Sequence, residues 1–270
     1  MQKYLSNEWA QVYSDFVAKA VYNDEHYEAI GFSYKFSPEV SMVMSYNSSL
    51  FNLKKAAAMY FWYKRGNPCD YSIKKYFDEY KRCTDYTHMF FNSNYGFYAY
   101  TLGGLQRCID VLMECKTSRH ATLCINNNEA MGPSSIDKLC TNALQFFIRD
   151  NKLQMIVQMR SSNFITLLPY DAFMFSVFYF QVRQALRKQY IDLGVGDITM
   201  QVASLHMYEN DMRRVEETNA VELKPVCSDD NNWQITLETQ LLNTLKTDKY
   251  YGKTKICKST GRKVTSTWHK

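Results

Sequence analysis

The sequence predicts an α+β domain in which helices flank a mixed, largely buried β-sheet and one long helix lies inside. Three observations predict it. Apolar residues recur at helical spacing in the first 115 residues, then give way to short apolar runs separated by turn signals. The strand candidates cluster without regular βαβ alternation and without a Gly-rich phosphate loop. Residues 171–190 are almost uniformly apolar, the mark of a helix buried on most sides.

In chain order, residues 7–22 place Trp9, Val12, Phe16, Ala20 and Val21 at helical spacing and predict an amphipathic first helix. Residues 53–65 read as a second helix, favoured by Ala56, Ala57 and Ala58 and stopped by Gly66-Asn67-Pro68. Residues 104–115 form a third, after Gly103-Gly104. Residues 121–126 are a short strand, followed by a turn-rich stretch containing Gly132-Pro133. Residues 143–148 and 153–159 are apolar runs joined by Arg149-Asp150-Asn151-Lys152, a hairpin signature. The long helix comes next, then a strand over 197–208. No composition break demands two domains. The chain reads as a single domain over 1–270, with a polar 209–270 segment that could be a mobile appendage and a basic extension over about 245–270.

Composition narrows the function. Hydrophobic residues make up 46% of the chain, which excludes a disordered protein. A net charge of +5 suits an anionic small ligand or weak nucleic-acid affinity. Residues 246–270 carry eight Lys and Arg against Asp248 alone, so that tail is either a solvated basic face or a phosphate or nucleic-acid contact. The eight cysteines contain no C-x-x-C pair, which argues against a zinc ribbon or a thioredoxin-like site, and no metal is expected. The first ten residues lack an apolar core and include Glu8, so a cytoplasmic protein with free thiols is expected. The most apolar stretch, 172–182, is too short to span a bilayer.

The candidate chemistry gathers around Cys140, which precedes a strand and follows a turn-rich loop. Arg160-Ser161 ends the next strand; an Arg there can lower a thiol pKa and grip a phosphate. His206 and Tyr208 lie two apart on one strand and share a face, offering an imidazole and a phenol to a sugar hydroxyl. Arg119 and His120, at the start of another strand, could add phosphate contacts.

Together with these residues, an ordered set of motifs resembles the thymidylate synthase family, and within it the phage-type deoxycytidylate hydroxymethylases. The set is Asn92-Ser93-Asn94-Tyr95-Gly96, Cys140-Thr141-Asn142 through Gln145 to Ile148-Arg149-Asp150, Met159-Arg160-Ser161-Ser162, Pro169-Tyr170-Asp171 and Ser204-Leu205-His206-Met207-Tyr208, over roughly residues 50–210. The resemblance implies that family's layered fold and a homodimer. It implies that Cys140 adds to C6 of a pyrimidine, so that C5 can take a one-carbon unit from 5,10-methylenetetrahydrofolate. Arg160 and Ser161 would bind the 5′-phosphate, with Arg119 reaching it across the subunit interface. His120 stands where the family usually has a second Arg, which makes phosphate affinity pH-dependent. His206 and Tyr208 would hold the 3′-hydroxyl, Gln145 would orient the nucleotide, and Tyr95 would assist proton transfer at the base.

Asp171 bears on the base. Cytosine presents N3 as acceptor and N4 as donor, and a protonated Asp complements both. The resemblance implies Asn here for uracil and Asp for cytosine, so dCMP is the preferred substrate. The competing role is that Asp171 caps the following helix. Other positions depart from the family's pattern. Met59 aligns with a catalytic Glu, Asn163 with an Asp near the folate pterin, and Leu167 with a Gly that gives the folate room. Lys35 is a candidate stand-in for a phosphate-binding Arg, and Glu79 or Asp78 for the missing acid. Three readings stay open: a hydroxymethyltransferase making 5-hydroxymethyl-dCMP, a methylase or thymidylate synthase, and a nucleotide-binding relative without full catalysis.

Overall fold

The computed structural model describes residues 7–38, 51–83, 90–126, 135–214, 232–246, 255–256 and 263–264. The sheet order is β1-β2-β6-β5-β4-β3, formed by Val21–Asn23, His26–Phe36, Gly194–Tyr208, Lys152–Asn163, Thr141–Arg149 and Thr122–Cys124 respectively. All its pairings are antiparallel except β5 with β6, which is parallel. A parallel pair needs a crossover, and helix α5 (Leu168–Leu186) supplies it. The sheet is therefore mixed, as the sequence predicts. The hairpin between β4 and β5 turns on Asp150 and Asn151, both with positive φ, as a tight turn with a native twist requires.

Helix α1 (Asn7–Lys19) presents Trp9, Val12 and Phe16 to the core, where Phe16 stacks on Phe164. It ends earlier than its periodicity predicts. Val21 belongs to β1, whose hairpin with β2 the sequence did not reveal, because burial in β2 alternates cleanly only from Phe32 onward. Helix α2 (Leu53–Arg65) matches its predicted span. The Asn52 side chain caps it by accepting from Lys54 and Lys55 amides, and Gly66 closes it at φ 54°. Short helix α3 (Glu79–Arg82) and a π-helical turn at Phe97–Thr101 precede α4 (Gly104–Glu114). Helix α5 is buried along nearly its whole length, and Tyr179 ties it to the sheet by donating to the Leu153 carbonyl at 2.7 Å.

After β6 come α6 (Glu209–Arg214) and α7 (Trp233–Lys246). Helix α7 is no loose appendage. Trp233, Leu237, Leu241 and Leu245 repeat every fourth residue and are buried, and Glu238 accepts hydrogen bonds from Tyr60 and Lys64 of α2, both at 2.6 Å. Most of the basic extension lies outside the described residues. Among the described residues no helix is long and apolar enough to cross a membrane.

Candidate functional site

The loop carrying Cys140 is clamped by the Asn92–Gly96 motif. Asn92 donates to the Asp137 carbonyl at 3.0 Å, and the Ser93 amide and hydroxyl both donate to the Asp137 carboxylate, at 2.8 and 2.7 Å. Asn94 donates to the Asn67 carbonyl at 3.1 Å, tying the motif to the end of α2. Gly96 makes the fit possible: a Cβ there would lie 1.8 Å from the Tyr63 carbonyl oxygen. This close approach seats Tyr95 in the interior.

Cys140 is partly exposed and holds a free thiol. Arg160 binds its loop from β5, donating from Nε to the Leu139 carbonyl at 2.6 Å and from Nη2 to the Lys138 carbonyl at 3.1 Å. Its Nη1 donates to the Ser161 hydroxyl at 2.8 Å, and Nη2 lies 3.8 Å from Cys140 Sγ. The Ser161 hydroxyl is 3.9 Å from the same sulfur. Burial pushes the thiol pKa up, while the Arg160 charge and the Ser161 hydroxyl pull against it. Arg160 thus spends most of its fork on the Cys140 loop and Ser161, with one Nη1 hydrogen outside these contacts.

Asp171 sits in the first turn of α5, 5% exposed. It makes no capping hydrogen bond, and the helix begins three residues before it, so the capping role is not the one it plays. Burial pushes its carboxyl up to about 8, which keeps it protonated at neutral pH. Among the described residues four buried phenols, those of Tyr34, Tyr63, Tyr80 and Tyr95, lie close enough to feel its charge. Tyr63, Tyr80 and Tyr95 are all held far above the ordinary range, by burial first and then by neighbouring groups that include Asp171. The Tyr80 and Tyr95 phenols also neighbour Cys140. Sequence reading found Tyr95 but missed Tyr63, Tyr80 and Asp137. With 21 tyrosines in the chain, no spacing singles out these two.

The sheet register carries the site outward. Ser161 pairs with Ser204 and Asn163 with His206 across the parallel β5–β6 seam. His206 and Tyr208 touch, with ring centroids 5.4 Å apart. Burial lowers the His206 pKa, and the Ser204 backbone works against that shift. On β2, His26 lies opposite Tyr208 and Glu28 opposite His206, and Glu28 accepts from the Ser204 hydroxyl.

Arg119, His120 and Gln145 gather elsewhere. Arg119 and His120 are exposed before β3, and Gln145 Nε2 donates to the Arg119 carbonyl at 2.9 Å. Five residues along β4 separate Gln145 from Cys140, roughly 16 Å at 3.3 Å per residue. Within one chain this trio does not meet the thiol. Lys35 pairs with Asp197 at 3.4 Å, at the end of β2 remote from His26, so it does not stand in for a phosphate ligand. Asp78 is exposed and paired with Lys81, which leaves it no place beside the thiol.

The side where the resemblance places a folate fits that molecule poorly. Met59 is 0% exposed in α2 and packed in the core. Asn163 is consumed internally: its Nδ2 donates to Asp211 at 2.8 Å and its Oδ1 accepts from the Ile165 and Thr166 amides, both at 2.9 Å. Neither residue offers the free carboxylate that the family pattern supplies there.

No curated protein matches the chain. The family model described as thymidylate synthase does match, over residues 69–254. That span takes in the clamp, the thiol, Arg160, Asp171 and the His206–Tyr208 pair, and it covers well over half of the 270 residues. The chain belongs to the thymidylate synthase family.

Proposed function

We propose that the protein is a dCMP-directed one-carbon transferase in which Cys140 adds to C6 of the cytosine and makes C5 nucleophilic, with 5-hydroxymethyl-dCMP as product. The state of Asp171 carries this reading. Its carboxyl is buried, protonated at neutral pH and without a hydrogen bond to any described residue. It can donate to cytosine N3 and accept from N4, whereas uracil would face it with the wrong pattern. Ser161 and the remaining Arg160 N–H hold the 5′-phosphate beside the thiol. Arg119 and His120, remote from Cys140 within one chain, reach the phosphate from a second subunit of a homodimer, where Gln145 fixes the loop that carries them. Tyr95, protonated and next to both Asp171 and Cys140, moves the proton at the base. Methylenetetrahydrofolate is the carbon donor used in the family, but because Met59 and Asn163 do not match it, no residue of this chain is assigned to handling it.

The decisive experiment follows tritium from C5 of labelled dCMP or dUMP into water, with and without methylenetetrahydrofolate. Release from dCMP, lost in Cys140→Ser, is expected. Release from neither nucleotide would remove the enzyme reading. Release from dUMP alone, with formation of dTMP, would favour a uracil-directed synthase instead.

A second reading is favoured by Met59 and Asn163 together. A buried thioether and an amide engaged at both its nitrogen and its oxygen suit a relative that binds nucleotide without turnover. It expects dCMP to raise the melting temperature equally in the wild type and in Cys140→Ser, with no tritium release.

A further inference from the structure

We infer that His26 is a third sugar-binding residue, completing with His206 and Tyr208 a three-ring clamp on the 3′-hydroxyl of the bound nucleotide. The inference rests on the nucleotide-binding reading above and extends it to a residue from a different strand. The His26 ring lies 6.0 Å from His206 and 5.4 Å from Tyr208, centroid to centroid, and those two rings are themselves 5.4 Å apart. Each ring touches the other two. The register enforces this arrangement, because His26 is directly opposite Tyr208 in the antiparallel β2–β6 pair and opposed residues share a face.

Hydrogen-bond capacity explains why three rings would be used. A hydroxyl has one proton to give and two lone pairs to fill. A neutral imidazole carries one N–H and one acceptor nitrogen, and burial favours the neutral form of His206, so its ring can accept the sugar proton. The Tyr208 phenol can donate to one lone pair. The second lone pair needs another donor on the same face. Glu28 is an acceptor already engaged by Ser204, so it cannot serve. His26 is half-buried, and no described residue bonds its ring nitrogens. It is the neighbouring group with a donor to offer.

The test compares ligands with and without the 3′-hydroxyl, using the full chain and calorimetry. The wild type, His26→Ala and His26→Gln are each titrated with dCMP and with 2′,3′-dideoxycytidine monophosphate. His26→Ala should weaken dCMP by roughly three- to tenfold, the worth of one hydrogen bond. It should leave the dideoxy nucleotide within about twofold of the wild type, and His26→Gln, which keeps a donor, should recover part of the loss. An equal loss for both nucleotides, or undiminished dCMP binding, would overturn the role. If His26→Ala does not fold, His26→Phe keeps the ring packing without the nitrogens and carries the same comparison. Failure of the base assignment is separable: if the wild type prefers dUMP, the comparison runs with dUMP and its dideoxy analogue. If neither nucleotide binds the wild type, the nucleotide reading falls and the clamp falls with it.

Discussion

Asp171 concentrates what a single residue contributes here. A carboxyl with no hydrogen bond to any described residue and a pKa raised to about 8 by burial carries an energetic consequence of known sign. The unfolded chain loses this proton near pH 4, and the folded protein keeps it to about pH 8. The native state therefore holds the extra proton between those limits. The stability linked to it is complete below pH 4 and is lost as pH rises through 8, at about 1.4 kcal/mol per pH unit at most. Asp171→Asn should remove that slope in urea titrations run from pH 5 to 8.5. The same substitution replaces a donor facing N3 with an amide that complements uracil. It should turn a roughly tenfold to hundredfold preference for dCMP into a preference for dUMP, measured as relative binding constants. In the wild type, dCMP affinity should fall above pH 8; in Asp171→Asn it should not.

At the scale of elements, the packing of α2 against the Asn92–Gly96 segment is the tightest constraint on the site. The obstacle to a side chain at Gly96 is the Tyr63 backbone, which cannot swing aside. Gly96→Ala should destabilise the protein by about 3 kcal/mol or more, read from urea unfolding, or prevent soluble expression. How far such elements can be read from sequence depends on what holds them. Helix α2 was legible to the residue because its cap, alanines and terminating glycine are local signals. The β4–β5 hairpin was legible from its polar turn. The β1–β2 hairpin was not, because His26 to Ile30 carry no clean alternation, and what holds them is pairing with β6, about 180 residues away in sequence. The same gap hid His26 from the sequence-level site. Helix α7 was hidden for a related reason: its leucines become an apolar stripe only against α2. Cys140, Arg160, Ser161, Asp171, His206 and Tyr208 were legible because their motifs occur in order, whereas Tyr63, Tyr80 and Asp137 are recruited by folding alone.

At the scale of the whole molecule, one chain does not assemble every proposed contact. Arg119, His120 and Gln145 sit at the β3 edge, remote from the thiol. If Arg119 serves a partner's phosphate, Arg119→Ala and Cys140→Ser homodimers should each be inactive. Mixed and allowed to exchange subunits, they should recover about a quarter of wild-type turnover, since half of the dimers would then carry one intact site. No recovery after verified exchange would place Arg119 in its own subunit's site.

The parallel β5–β6 seam and its crossover helix have a mechanical implication. Ser161, Asp171, His206 and Tyr208 all belong to one strand–helix–strand unit, so the parts proposed to grip phosphate, base and sugar form a single jaw. The Cys140 thiol hangs on a separate arm, held by the Ser93–Asp137 clamp and the Arg160 guanidinium. Loosening the arm should misaim the sulfur without opening the jaw. Ser93→Ala should thus lower kcat roughly tenfold while KM for the nucleotide stays within about twofold. Grip and strike would then be adjustable one without the other, which would let a relative of this fold give up its reaction and still hold its nucleotide.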